Sequence, residues 1–189
     1  MSKSFVSVAV GFCEEDGLLS LDDKISKFLP EYVERTANKK LGDTRIIDLL
    51  KMESSVENGI NWFFLEKCTD RTSVYFDNTY DKNPSTLFNY DSPGSYMLGV
   101  IVERVTGKPF LEYLKDKALR ELGFSEDAWC VQSPDGHSWG GSGVLATLRD
   151  TVRFATLVKN RGVAHGKQLL PADYIDEATS YQIANTTQY

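Results

Sequence analysis

Apolar residues recur at helical spacing through almost every segment of this chain, and hardly any stretch alternates as a half-buried strand must. The clearest case follows Ser92-Pro93, where Met97, Leu98, Ile101, Val102 and Val105 share one face and Gly107 closes the run. Ser92 reads there as the helix N-cap. The chain also opens on such a stripe: Met1, Phe5, Val8 and Phe12 line up, and Gly17 stands where a left-handed C-terminal cap belongs. Ser20 predicts the cap of a short helix carrying Ile25, Phe28 and Leu29, stopped by Pro30. Thr44 predicts the cap of another that buries Ile46, Ile47, Leu49 and Leu50. Pro109 begins a helix with Phe110, Leu114 and Leu119 inside and Gly123 after it. Thr147 and Asp150 have capping-box spacing ahead of a helix that buries Val152, Ala155 and Val158 and ends at Gly162. A last helix follows Pro171. Six or seven helices and almost no strand make the expected class mainly α.

Two stretches break the pattern. From 61 to 90 the chain has no clean period but is rich in aromatics, among them Trp62, Phe63, Phe64, Tyr75, Phe76, Tyr80, Phe88 and Tyr90. This predicts a long ordered surface loop, its aromatics either serving a binding site or anchoring the loop to the core. Residues 130–143 form a second, Gly/Ser-rich loop.

Composition narrows the function classes. The 189 residues are 41% hydrophobic and 25% charged with a net charge of −6, which fits a globular domain and speaks against a nucleic-acid binder. The longest apolar run, 98–102, is far short of the ~20 residues of a membrane span. The first residues make a poor signal peptide. Cys13, Cys68 and Cys130 are odd in number and scattered, so neither a disulfide framework nor a structural zinc site is expected, and two histidines leave little for another metal.

Three constellations could carry chemistry. Lys3 lies in the first turn of the opening helix, where the helix dipole favours anions. It is either a solvated surface lysine or, since a positive helix end and burial favour the neutral amine, a proton acceptor for a nearby nucleophile. Tyr90-Asp91-Ser92 precedes the best helix, and a tyrosine hydroxyl beside a lysine can shuttle protons; alternatively Tyr90 packs and Ser92 only caps. The third is Trp139-Gly140-Gly141-Ser142-Gly143. A nucleophile elbow centred on Ser142 would need glycine at Val144, and a phosphate-binding loop would need Gly-Lys-Ser/Thr, so both patterns fail. Nothing local orients His137 or His165, which read as ordinary loop residues.

In order along the chain these pieces resemble the serine β-lactamase/penicillin-binding-protein superfamily. The similarity is to the branch of class C β-lactamases, D-alanyl-D-alanine carboxypeptidases, related esterases and 6-aminohexanoate-oligomer hydrolases. Met1-Ser2-Lys3-Ser4-Phe5 resembles the tail of S-x-x-K-[ST]-F, and Gly17-Leu18-Leu19-Ser20-Leu21-Asp22-Asp23 with Phe28-Leu29-Pro30-Glu31 resembles G-x-L-x-L-D-D … L-P-E. Arg45-Ile46-Ile47-Asp48-Leu49-Leu50 is similar to the I-x-x-L-L helix, although Glu53-Ser54-Ser55 replaces the usual Thr-Ser-Gly. Tyr90-Asp91-Ser92 matches Y-x-[NS]. Gly140-Gly141-Ser142-Gly143-Val144-Leu145-Ala146-Thr147 with Asp150 and Phe154 resembles G-G-G-L-x-S-T-x-x-D-x-x-x-F.

The resemblance implies a helical cluster packed on a mainly antiparallel sheet. Of that fold the chain holds the helical region with most of the sheet missing, so that 1–189 is expected to be a single helical domain within a larger one. Apolar faces left uncovered would be exposed or buried by self-association. The implied activity is serine acyl-hydrolysis of a small-molecule amide or ester, with Lys3, Tyr90 and Ser92 catalytic, Trp139, Gly141 and Ser142 binding substrate, and no metal or organic cofactor. The family's nucleophilic serine stands three residues before its lysine, one position ahead of Met1, and no Lys or His here begins a [KH]-[ST]-G motif. Two readings therefore stay open: a hydrolase represented by a truncated chain, or a non-catalytic helical binding domain or inactive relative. Compartment is not legible.

Overall fold

A computed structural model describes residues 1–54, 56, 68–77 and 82–184. Helix α1 (Ser2–Glu15) runs through the middle of the core and is buried on nearly every side, with Phe5, Val6, Val8, Ala9, Val10, Phe12 and Cys13 all inside. A helix apolar all round needs neighbours on all its faces. Helix α6 (Ser92–Thr106), equally buried from Pro93 to Val102, packs along it. So does α7 (Phe110–Leu114), which continues as a π-helical turn over Lys115–Leu119. Phe5 stacks on Phe154 of α8 (Leu148–Lys159) at 4.0 Å between ring centroids and meets Phe124 edge-on at 5.8 Å.

The remaining elements are short. They are a 3-10 turn (Ile25–Lys27), α2 (Pro30–Arg35), α3 (Lys39–Gly42), α4 (Ile46–Leu50), α5 (Arg71–Phe76) and α9 (Ala172–Thr179). Tyr174 of α9 lies across Gly11 of α1, where any side chain would collide with its ring, and its hydroxyl donates to the Ser7 carbonyl at 2.6 Å. Strand is confined, among the described residues, to two antiparallel pairs of two residues each. β1 (Trp129–Cys130) meets β2 (Val144–Leu145), and β3 (Val163–Ala164) meets β4 (Lys167–Gln168) through a turn at His165-Gly166 with positive φ at both positions. The class is mainly α, as the apolar spacing predicts, and Gly17, Gly107 and Gly123 all take the left-handed conformation that ends a helix.

Five details differ from the sequence reading. Asp91, not Ser92, caps α6: its carboxylate accepts from the Gly94 amide at 2.7 Å, and Ser92 is the first helical residue. Pro30 opens α2 instead of stopping a helix, because proline suits a first turn as well as a break. Ahead of it, the predicted short helix is only the 3-10 turn, and Ser20 sits in a separate turn with Asp23. Thr44 is buried, and the end of α4 is closed by Asp48, which accepts from the Arg45 amide at 2.9 Å. In α8 the inward face is Asp150, Phe154 and Leu157, while Val152 and Ala155 face solvent.

The predicted loop over 61–90 is interrupted by α5, whose Tyr75 and Phe76 are core residues; Trp62, Phe63, Phe64 and Tyr80 lie outside the described residues. Exposed apolar side chains gather around the first strand pair: Trp129, Val131, Leu145, Leu148 and Val152. No helix among the described residues is long and apolar enough to cross a membrane.

Candidate active site

The amino ends of α1 and α6 converge, and the loop 139–143 lies across them. Glycine makes this approach possible. A methyl group on Gly141 would stand 2.8 Å from the Ser92 carbonyl oxygen, and one on Gly140 would stand 2.8 Å from Val6 and 3.2 Å from the Ser95 carbonyl oxygen. Ser2 holds the far end of the loop, its hydroxyl accepting from the Val144 amide at 3.0 Å.

Lys3, half-buried in the first turn of α1, donates from Nζ to the Gly141 carbonyl at 2.5 Å, and the same Nζ lies 5.2 Å from the centroid of the Tyr90 ring. Burial alone would push the Tyr90 phenol up. Hydrogen bonds with Lys3 and Ser92, together with the Lys3 charge, outweigh it and hold the phenol below the ordinary tyrosine value. Lys3, Tyr90, Ser92 and Gly141, distant in sequence, thus meet at one point.

Trp139 and Ser142 play different parts. Trp139 is half-buried against the Tyr96 ring at 6.0 Å, with the Arg71 guanidinium 5.7 Å from its centroid. Ser142 is exposed, and its amide donates to the Trp139 carbonyl at 3.3 Å. Beside Lys3 a mostly apolar cleft of about 430 Å³ opens between α1, α4, α6 and α9, with Ser7, Leu50, Ser95, Leu98 and Tyr174 on its walls.

Three groups around this centre were not singled out from sequence. Asp91 is fully buried directly beneath Tyr90 and Ser92. Besides the Gly94 amide, it accepts from the Ser54 hydroxyl at 2.7 Å and the Tyr75 hydroxyl at 3.3 Å. Burial pushes its carboxyl above the ordinary value, the hydrogen bonds and Lys82 opposing that push. An aspartate immediately before Ser-Pro is itself a capping signal, so this one was available to a reader of the sequence.

Asp135 ties the long loop to two helices. It accepts from the Thr72 amide and hydroxyl at 3.0 and 3.1 Å, from the Tyr96 hydroxyl at 2.7 Å, and from Ser133. Against the expectation of an unoriented loop residue, His137 Nδ1 sits 2.8 Å from Glu103 Oε2. That hydrogen bond, opposed by burial, pushes the imidazole above its ordinary value. No spacing rule links residues 103 and 137, so this pair had no signal in the sequence. Among the described residues no three His, Cys, Asp or Glu side chains gather as metal ligands would.

Known proteins similar to this chain are hydrolases. The chain is 24% identical over 193 residues to a 6-aminohexanoate-dimer hydrolase of Paenarthrobacter ureafaciens, covering 93% of this chain and 48% of that one. It is 26% identical over 147 residues to a lovastatin esterase of Penicillium rubens, covering 66% and 37%. In three dimensions it matches a candidate 6-aminohexanoate-dimer hydrolase from Bacillus anthracis with a TM-score of 0.79 at 21% identity, over 93% of this chain and 50% of that structure. The chain thus spans about half the length of these relatives or less. With residues 1–188 matching the beta-lactamase family profile, the chain belongs to the beta-lactamase family.

Proposed function

We propose that the protein is a serine acyl-hydrolase acting on an amide or ester, and that Lys3, Tyr90 and Ser92 are its proton-handling groups. The observation that carries this is the Tyr90 phenol, held below the ordinary tyrosine value by Lys3 and Ser92 at the junction of two helix ends. A phenol tuned downward exchanges its proton more readily near neutral pH than an ordinary tyrosine does. The hydrolase and esterase names of the relatives support the same reaction class.

In this reading a serine placed three residues ahead of Lys3 attacks the carbonyl carbon of the substrate. Its proton passes through Lys3 to the Tyr90 oxygen as the Oγ–C bond forms, so that Lys3 keeps its charge. Tyr90 then delivers a proton to the departing amine or alcohol, leaving an acyl-enzyme. Water attacks that ester, its proton passes through the same groups to the serine Oγ as the acyl C–O bond breaks, and the acid is freed. Ser92 keeps the phenol oriented toward Lys3. The exposed Ser142 and the Trp139 ring belong to the substrate's surroundings, and the Gly141 carbonyl sets where the Lys3 amine stands. A serine in the third position of Tyr-x-Ser favours an esterase, peptidase or amide-oligomer hydrolase over a β-lactamase.

Turnover of p-nitrophenyl esters and p-nitroanilides by the full-length gene product tests the reading. Lys3→Ala and Tyr90→Phe are each expected to lower kcat by about 10²- to 10⁴-fold, with fluorophosphonate labelling of the nucleophile slowed in parallel. Unchanged turnover in both variants would reject it. The 189 residues alone are expected to take no label. Stoichiometric labelling of them would mean that a different serine attacks.

A further inference from the structure

One stripe of α6 carries Ser92, Ser95, Gly99 and Glu103, spaced three, four and four residues apart and therefore on one face. The segment 137–141 runs along this stripe in the opposite direction. Gly141 approaches the Ser92 carbonyl and Gly140 the Ser95 carbonyl. A methyl group on Gly99 would lie 3.8 Å from both the Gly140 Cα and the Ser138 carbonyl oxygen. At the far end the Glu103 carboxylate takes His137 Nδ1 at 2.8 Å on one oxygen and the Ser138 amide at 3.1 Å on the other. The segment is bent, not extended: the Gly140 amide donates to the Ser138 carbonyl at 2.8 Å and the Gly143 amide to the Trp139 carbonyl at 2.8 Å, so a hydrogen-bonded turn links its two ends. Glycines bring the two backbones close, and the Ser133 amide on the His137 carbonyl and the Trp139 amide on the Val131 carbonyl, both at 2.7 Å, tie the segment to the rest of its loop. Glu103 holds one end and Lys3, through the Gly141 carbonyl, the other.

We propose that Glu103 is a positioning residue for the Lys3–Tyr90 pair, acting through the segment 137–141, and that the charge on His137 sets how firmly it does so. The inference rests on the reading of Lys3 and Tyr90 as the proton-transfer pair. Around His137, α6 supplies Glu103 and Arg104 and the loop itself supplies Asp135; the half-buried Cys130 thiol of β1 lies within the field of Glu103. Glu103 and Asp135 favour the imidazolium, while Arg104 opposes it.

The sign follows. A histidine whose folded value lies above its unfolded value holds its ion pair fully below about 6.5 and gives it up as pH rises through the higher folded value. Above that point a neutral imidazole can still donate from Nδ1, and Ser138 still donates, so the segment slackens without detaching. Slack at 137–141 moves the Gly141 carbonyl, and with it the Lys3 amine that the Tyr90 phenol faces.

Two-dimensional NMR of the 189-residue chain tests this without reference to turnover. The amide resonances of Gly140 and Gly141 and the Tyr90 ring resonances, the latter assigned by their loss in Tyr90→Phe, are followed between pH 5 and 9. In the unsubstituted chain all three should move together with the His137 ring, at a midpoint above 6.5. In His137→Gln they should stay flat. In Glu103→Gln the His137 midpoint should fall, and the glycine shifts should track the lower value. Should Glu103→Gln fail to fold, His137→Gln, a substitution at a part-exposed side chain, decides the matter alone. Glycine and Tyr90 resonances that ignore a titrating His137, or that titrate unchanged in His137→Gln, would overturn the proposal. Because no substrate enters, either result leaves the turnover test of the hydrolase reading to stand or fall separately.

Discussion

The two helix ends that meet at the site are finished in opposite ways. α6 begins on a buried carboxylate: Asp91 receives the Gly94 amide, the Ser54 hydroxyl and the Tyr75 hydroxyl, so the positive end of the helix is answered by negative charge inside the protein. α1 begins with no side-chain cap, no acidic residue in its first turn, and a lysine in it. One end is built for stability. The other leaves positive charge turned toward a phenol, an arrangement that weakens a helix and suits proton transfer. A single junction can thus be fixed by one capped helix end while the other keeps an uncapped cation beside a phenol.

The largest break in that comparison is Asp91→Ala. It removes the cap and strands two buried hydroxyls, and a loss of about 3 kcal/mol in urea unfolding is expected; a loss below about 1 kcal/mol would show that Asp91 is not what secures the α6 end. Next comes Gly141→Ala. Its methyl group would meet the Ser92 carbonyl at 2.8 Å, so the loop must shift at a cost of about 1–3 kcal/mol, and the Tyr90 phenol should titrate closer to an ordinary tyrosine once the Lys3 contact is disturbed.

Thr147→Ala is the control at a third helix start, α8. There Thr147 and Asp150 cap reciprocally, the Thr147 hydroxyl accepting from the Asp150 amide at 3.2 Å and the Asp150 carboxylate from the Thr147 amide at 3.1 Å. A loss of about 1 kcal/mol is expected, with the Tyr90 titration unmoved. Lys3→Met should change stability least, by under about 1 kcal/mol, yet move Tyr90 most. Absorbance at 295 nm, as a difference against Tyr90→Phe, should show the phenol ionising at higher pH than in the parent. The sign is that of an acid whose folded value is depressed: Tyr90 adds stability only at alkaline pH, and that increment should vanish in Lys3→Met. A Tyr90 titration indifferent to Lys3 would dissolve the contrast between the two helix ends.

Much of the fold was legible because helices leave local marks. Left-handed glycines at 17, 107 and 123, the capping pair at 147 and 150, and the apolar faces of α1 and α6 all follow from residues within one or two turns of each other. The misreadings are local too. Thr44 and Ser92 read as caps from the sequence, but their neighbours hold those positions, and in α8 the apolar Val152 and Ala155 look outward while the buried Phe154 and Leu157 look in. A stripe of small or medium apolar residues cannot say which side the core is on when two faces compete, and the stacking of Phe154 on Phe5 decided it. α5 was hidden because its six residues are too few for a period to emerge.

By itself the sequence determined that the chain is mostly helical and that Lys3, Tyr90, Ser92 and the glycine run follow one another in the order of the motifs they resemble. Those are properties of spacing along a chain. Tertiary structure alone decided that Asp91 turns into the core to meet Ser54 and Tyr75, that Glu103 reaches His137, and that the Gly141 carbonyl meets the Lys3 amine. Each of those contacts joins groups from separate segments. Its strength depends on how much water the packing of α1 against α6 excludes, a quantity that no run of neighbouring residues encodes.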